Sequence, residues 1–129
     1  MTVTLLLLGF DGVKDEIALN ESSGGKYKIH VNANRTIDCG IYQINSVHFS
    51  GRGRVAKEFN LIFQKWGIGC KLHERVVASI VNDSLNEDLA RKLYEIRGLR
   101  AWSMTWDMTR GRLQSTDRSK ERVFQRGYR

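Results

Sequence analysis

Between residues 11 and 23, apolar side chains recur at helical spacing, with Val13, Ile17 and Ala18 on one face. Asp11 stands where a cap is expected, Asp15 and Glu16 lie early, and Gly24-Gly25 end the run, so the pattern predicts a helix with Glu21 in its last turn. The period then changes to two. Tyr27, Ile29 and Val31 alternate with Lys28, His30 and Asn32, a turn-prone NANR follows, and a second extended run, TIDCGIYQI, brings the chain back. Together these predict a β-hairpin over about residues 26–45. Beyond Ser46 the pattern is helical apart from a flexible SGRGR connection. LHERVVASIV offers Leu72, Val76, Val77 and Ile80 as its apolar positions, and SLNEDLARKLYEIRG opens on a Ser84-x-x-Glu87 capping box and stops at Gly98. In LRAWSMTWDM, Trp102 and Trp106 are four apart, which puts them on one helical face. The fold class is therefore α+β, mainly helical with one small β element.

At 129 residues the chain has room for one domain with a real core, and it contains no apolar run of bilayer length. The opening MTVTLLLLGF lacks a basic leader region and a small-residue cleavage pattern, so a buried first element is expected there instead of a signal peptide. Cys39 and Cys70 show no metal-binding or redox spacing and are expected to be reduced thiols. His30, His48 and His73 have no metal-ligand spacing, and GRGRVAK lacks the Gly-Lys-[Ser/Thr] of a phosphate loop, so neither a metal nor another cofactor is expected. The net charge is +7, and residues 110–129 carry seven basic side chains against Asp117 and Glu121, which makes +5 of it. This divides the chain into a domain over 1–109 and a basic tail over 110–129. Such a tail suits a polyanion, or is simply solvated. Nucleic acid ranks last among the partners, because the basic charge is not interleaved with a recognisable aromatic surface.

Glu21 and Asp38 are seventeen positions apart, about 56–61 Å if the chain were fully extended, so only a reversal can bring them together. The hairpin supplies one. Two acids on facing walls are what glycosidic cleavage needs: one donates a proton to the leaving oxygen while the other, ionised, supports or attacks the anomeric carbon. Desolvation and the carbonyl end of its helix would raise the pKa of Glu21, while Asp38, among Thr36, Gln43 and Asn45, would stay charged. By periodicity alone, a helix-end Glu and a strand Asp are also ordinary solvated surface groups, and both readings stand.

ES followed by DCGIYQINS resembles the active-site segment of the lysozyme-like superfamily, especially the c-type lysozymes and their bacterial or phage lytic transglycosylase relatives. The matching positions are Glu21, Ser22, Asp38, Gly40, Ile41, Gln43, Ile44 and Asn45. NEDLARKLYEIRGLRAWSMTW resembles the later helix and Ala-Trp segment of the same superfamily. The resemblance implies a helical lobe and a β-hairpin lobe with a saccharide cleft between them. It implies Glu21 as general acid and Asp38 as nucleophile or charge stabiliser. Ser22, Asn32, Gln43, Asn45 and Trp102 would be substrate contacts, with peptidoglycan glycan strands as the partner. The eight-cysteine framework is absent, Cys39 stands where an aromatic is usual, His48-Phe49 replace the tryptophans of a sugar platform, and no YNAG motif is present. These departures fit a bacterial or phage member made in a reducing cytoplasm and acting on the cell wall, with the basic tail available to a virion or envelope partner. They leave open muramidase hydrolysis, a transglycosylase outcome, and a non-catalytic virion or structural protein on the same fold.

Overall fold

The computed structural model describes residues 9–109, and its first helix, α1, spans Phe10–Ser22. Val13 and Ile17 are fully buried and Ala18 nearly so, as their spacing predicted. Asp11 does not cap. Gly9 takes the N-cap position without a side-chain bond, and Asp11 instead pairs with Arg91 at 2.8 Å. Ser23 ends the helix in the left-handed region, and Gly24 and Gly25 continue at positive φ, which gives the sharp exit.

Three short strands follow: β1 (Ile29–Val31), β2 (Ile37–Cys39) and β3 (Ile44–Asn45), antiparallel in the order β1-β2-β3. The single hairpin expected over 26–45 is thus a three-stranded sheet, because TIDCGIYQI does not continue as one strand. Gly40 has φ 81° and Gln43 φ 52°, and the Gln43 N–H donates to the Gly40 carbonyl at 3.0 Å, which closes a turn. A side chain at Gly40 would overlap the Asn86 amide and the Ser79 carbonyl, so both the φ value and the close approach call for glycine. The register sets His30 opposite Asp38 and Asp38 opposite Asn45 on one face, and Ile29 opposite Cys39 and Cys39 opposite Ile44 on the other. Cys39 and Ile44 are fully buried, whereas Ile29 and Val31 on the edge strand are exposed, since the core lies beneath β2 and β3. Alternation in β1 marked a strand without marking its buried side.

Asn45 caps a 3-10 turn, η1 (Ser46–Phe49), by accepting from the Val47 N–H at 2.8 Å. Helix α2 (Arg54–Lys65) buries Val55, Ala56, Phe59 and Phe63. Helix α3 (Leu72–Val81) forms where expected but is rotated: Arg75, Val76 and Ser79 face inward, while Leu72 and Val77 are exposed. The cause is Arg75. Its guanidinium donates to the carbonyls of Gly69 (2.7 Å) and Phe49 (2.9 Å) and to Asn60 Oδ1 (2.7 Å), and it lies over the Phe63 ring. A buried cation with these acceptors satisfied is tolerated, and it ties α3 to α2 and η1.

Helix α4 spans Asp83–Arg97. Its cap is Asn82, which accepts from the Leu85 N–H at 3.1 Å, so the helix begins ahead of the expected Ser84 box. Gly98 stops it at φ 68°, as predicted, and leads into a second 3-10 turn, η2 (Gly98–Ala101), and then α5 (Ser103–Thr109). Trp102 stands just before α5 and is 1% exposed, within an aromatic group that links Phe10, Tyr42 and Tyr94. Among the described residues no helix is long and apolar enough to cross a membrane. The expected apolar first element and the basic tail over 110–129 lie outside the described residues.

Candidate active site

Asp38 sits in the middle strand, on the polar face of the sheet. Its Oδ1 accepts from Asn45 Nδ2 at 2.9 Å, while its Oδ2 takes no hydrogen bond among the described residues. The orientation of Asn45 is set by its other bonds, since Oδ1 caps η1 and Nδ2 also reaches Thr36 Oγ1 at 3.1 Å. Thr36 in turn accepts from Asn32 Nδ2 at 3.1 Å and donates to Asn34 Oδ1 at 2.6 Å. Asn32, Thr36, Asp38 and Asn45 thus form one connected polar network. At its end Asn32 Oδ1 is buried with no hydrogen-bond partner among the described residues. A buried carbonyl left in that state costs about 1–3 kcal/mol, a cost that a ligand donor would relieve.

Glu21 lies at the carbonyl end of α1, where a negative charge is disfavoured by about 0.3–1 kcal/mol. The opposite pole of another helix compensates. Glu21 Oε2 accepts from the Thr105 N–H and from Thr105 Oγ1, both at 3.0 Å, and Thr105 is in the first turn of α5, whose amides have no partner within the helix. Asn20 Nδ2 reaches the same Thr105 hydroxyl at 3.5 Å.

The helix end and the sheet are joined by direct bonds. Ser22 Oγ donates to the Ile41 carbonyl at 2.6 Å and accepts from the Gly25 N–H at 2.9 Å, and the Tyr27 N–H donates to the Ser22 carbonyl at 3.0 Å. The Gln43 side chain gathers the other side, with Nε2 at 3.0 Å from the Gly40 carbonyl, 3.2 Å from that of Tyr27 and 3.4 Å from that of Asp38. The turn itself is held by Asn86, which is fully buried. It accepts from the Tyr42 N–H and donates to the Cys39 carbonyl, both at 2.8 Å.

Of the residues expected at the site, Asn32, Asp38 and Asn45 belong to one network. Ser22 and Gln43 tie backbone segments together, and Ser22 is almost fully buried. Trp102 is also in the core, and its indole N–H donates to the Tyr42 carbonyl at 2.7 Å. Phe49 packs against Phe59 and Phe63, while His48 is half-buried with its ring edge-on to Phe59. Burial, with Arg97 adding a smaller push, holds the His48 imidazole below its usual range. Thr105 and Asn86 were not foreseen, since their partners are 84 and 44–47 positions away and no local pattern announces such contacts.

A hollow of about 230 Å³ is lined by Ile41, Tyr42, Trp66 and the carboxylates of Asp83, Glu87 and Asp88, and includes neither Glu21 nor Asp38. Its acids are already engaged by Lys28, by Lys14 and Arg91, and by the Trp66 N–H. Cys39 and Cys70 are both free, and burial next to Asp38 pushes the Cys39 thiol up to about 12. Among the described residues no group of three or more His, Cys, Asp or Glu side chains could hold a metal ion. Comparison with known proteins finds no matching family model, no matching curated protein and no matching solved structure. The architecture is mixed α+β with a small three-stranded antiparallel sheet.

Proposed function

We propose that this chain is a peptidoglycan-degrading muramidase on a lysozyme-like fold, cleaving the β-1,4 bond between N-acetylmuramic acid and N-acetylglucosamine at the bacterial cell wall. The observation that carries the reading is the polar face of the sheet. Asp38 is held there by one oxygen with the other left without a partner among the described residues, in one network with a buried Asn32 carbonyl that lacks a donor among them. A sugar hydroxyl or acetamido N–H is the kind of donor that such a carbonyl accepts. Glu21, on the helix end tied to the same sheet through Ser22 and Ile41, is the general acid for the bridging oxygen. Asp38 stabilises the oxocarbenium-like state or adds to it, and water completes hydrolysis. Asn45 keeps the Asp38 carboxylate oriented, which is a positioning role.

Two outcomes compete with hydrolysis. If the muramyl 6-hydroxyl attacks in place of water, the products carry 1,6-anhydro ends. A non-catalytic role is favoured by the double engagement of Glu21 Oε2 with Thr105, because that contact also serves as a helix cap. Mass spectrometry of digested muropeptides separates all three. Hydrolysis gives reducing ends, transglycosylation gives fragments lighter by one water, and a structural protein releases none. Glu21→Gln is expected to lose activity by at least about a hundredfold, the lower end of what a general acid contributes. Asp38→Asn is expected to harm hydrolysis severely and transglycosylation less. Full activity in Glu21→Gln would remove the acid from the scheme.

A further inference from the structure

The two segments that hold the acids continue into charges that the acid pair does not use. Past Asn45, which holds Asp38, come η1 with His48, then Arg52 in the connection and Arg54 at the start of α2. Ahead of Thr105, which holds Glu21, come Arg97 at the end of α4 and Arg100 in η2. Both segments border α2: η1 and α4 each pack on it, and the His48 ring meets Phe59 of α2 at 5.9 Å. Arg97 is close enough to influence His48, and Arg54 to influence Lys92 on α4.

All four arginines are exposed, and none has a carboxylate within 4.0 Å among the described residues. The nearby acids Glu58 and Glu95 act on Lys92, and Glu95 pairs with it at 3.0 Å. Arg100 lies over the Trp106 ring at 5.3 Å, a contact that positions its charge without neutralising it. Like charges on adjacent segments repel one another, and a multivalent anion relieves that repulsion. The planar guanidinium also matches a carboxylate through two parallel hydrogen bonds.

We propose that Arg52, Arg54, Arg97 and Arg100 form a carboxylate-binding rim on the segments that continue from the acid pair, taking the stem-peptide carboxylates that hang from a peptidoglycan strand. The proposal rests on Glu21 and Asp38 being the acid pair. It implies selection for peptide-bearing strands over neutral strands of N-acetylglucosamine, which carry no such groups.

The test measures binding by titration calorimetry in the Glu21→Gln background, with a peptide-bearing muropeptide oligomer and a neutral N-acetylglucosamine oligomer of equal length. Adding Arg97→Gln and Arg100→Gln is expected to reduce the preference for the carboxylated strand about tenfold, as two exposed charge pairs would. Arg97→Lys with Arg100→Lys should restore most of the preference, and added salt should weaken it. An unchanged preference in the glutamine variant, or no preference to begin with, overturns the rim. So does a loss that is larger for duplex DNA than for the glycan, which would assign the arginines to nucleic acid. Failure of the acid pair is read separately, from product release by the unsubstituted protein. A chain that releases no fragments yet keeps an arginine-dependent preference retains the rim and loses the catalysis.

Discussion

Cys39 and Cys70 show how much a side chain's surroundings decide its chemistry. Cys70 is exposed, whereas Cys39 is buried beside Asp38 with its thiol pushed up to about 12, so almost none of it is thiolate at neutral pH. A thiol reagent at pH 8 is expected to modify one cysteine quickly in the native protein and the second only after denaturant is added. Two fast equivalents would mean that Cys39 is not shielded. At this scale the sequence pointed to particular residues without revealing the bonds they make. The two matching segments singled out Ser22, Gln43 and Trp102, and each of these side chains donates to a backbone carbonyl. The partner of Glu21 was illegible, since Thr105 belongs to a seven-residue helix whose relation to α1 is purely tertiary.

Helix boundaries were legible to within a residue or two wherever an apolar stripe and a stop signal coincided, as in α1 and at Gly98. The sheet was harder to read. TIDCGIYQI has the composition of one strand, and its division depends on Gln43, a non-glycine residue at positive φ that nothing local foretells. The inward face of α3 was hidden for a related reason. Helical patterning sends an arginine outward, and only three acceptors from separate segments make Arg75 an interior residue. Gly40 gives the element-level prediction. Gly40→Ala adds a methyl group against Asn86 and the Ser79 carbonyl at a positive φ, and should cost about 2–4 kcal/mol. Urea unfolding would register this as a lower midpoint, and an unshifted midpoint would mean that the turn has slack.

Across the whole molecule, acid is expected to weaken the fold in two stages. His48 is held below its ordinary 6.5, so between that value and its folded pKa the unfolded chain takes up a proton that the native state resists. Stability therefore falls as pH drops below about 6.5 and is level with respect to this group above it. The Arg91 guanidinium likewise holds Asp11 below its ordinary 3.8, so that its contribution is present above 3.8 and is lost on further acidification. Melting temperatures taken from pH 8 to pH 5 should decline for the parent and decline less steeply for His48→Gln. Parallel curves would exclude His48 as the source.

A sheet of three strands, none longer than three residues, ordinarily frays, and its amides exchange with solvent through local opening. Here the Tyr42 amide is bonded to an Asn86 that is sealed within α4, so the proton leaves only when that helix detaches. In deuterium oxide Tyr42 should keep pace with the slowest amides of the helical core, which would make the turn between β2 and β3 as long-lived as the longest helix.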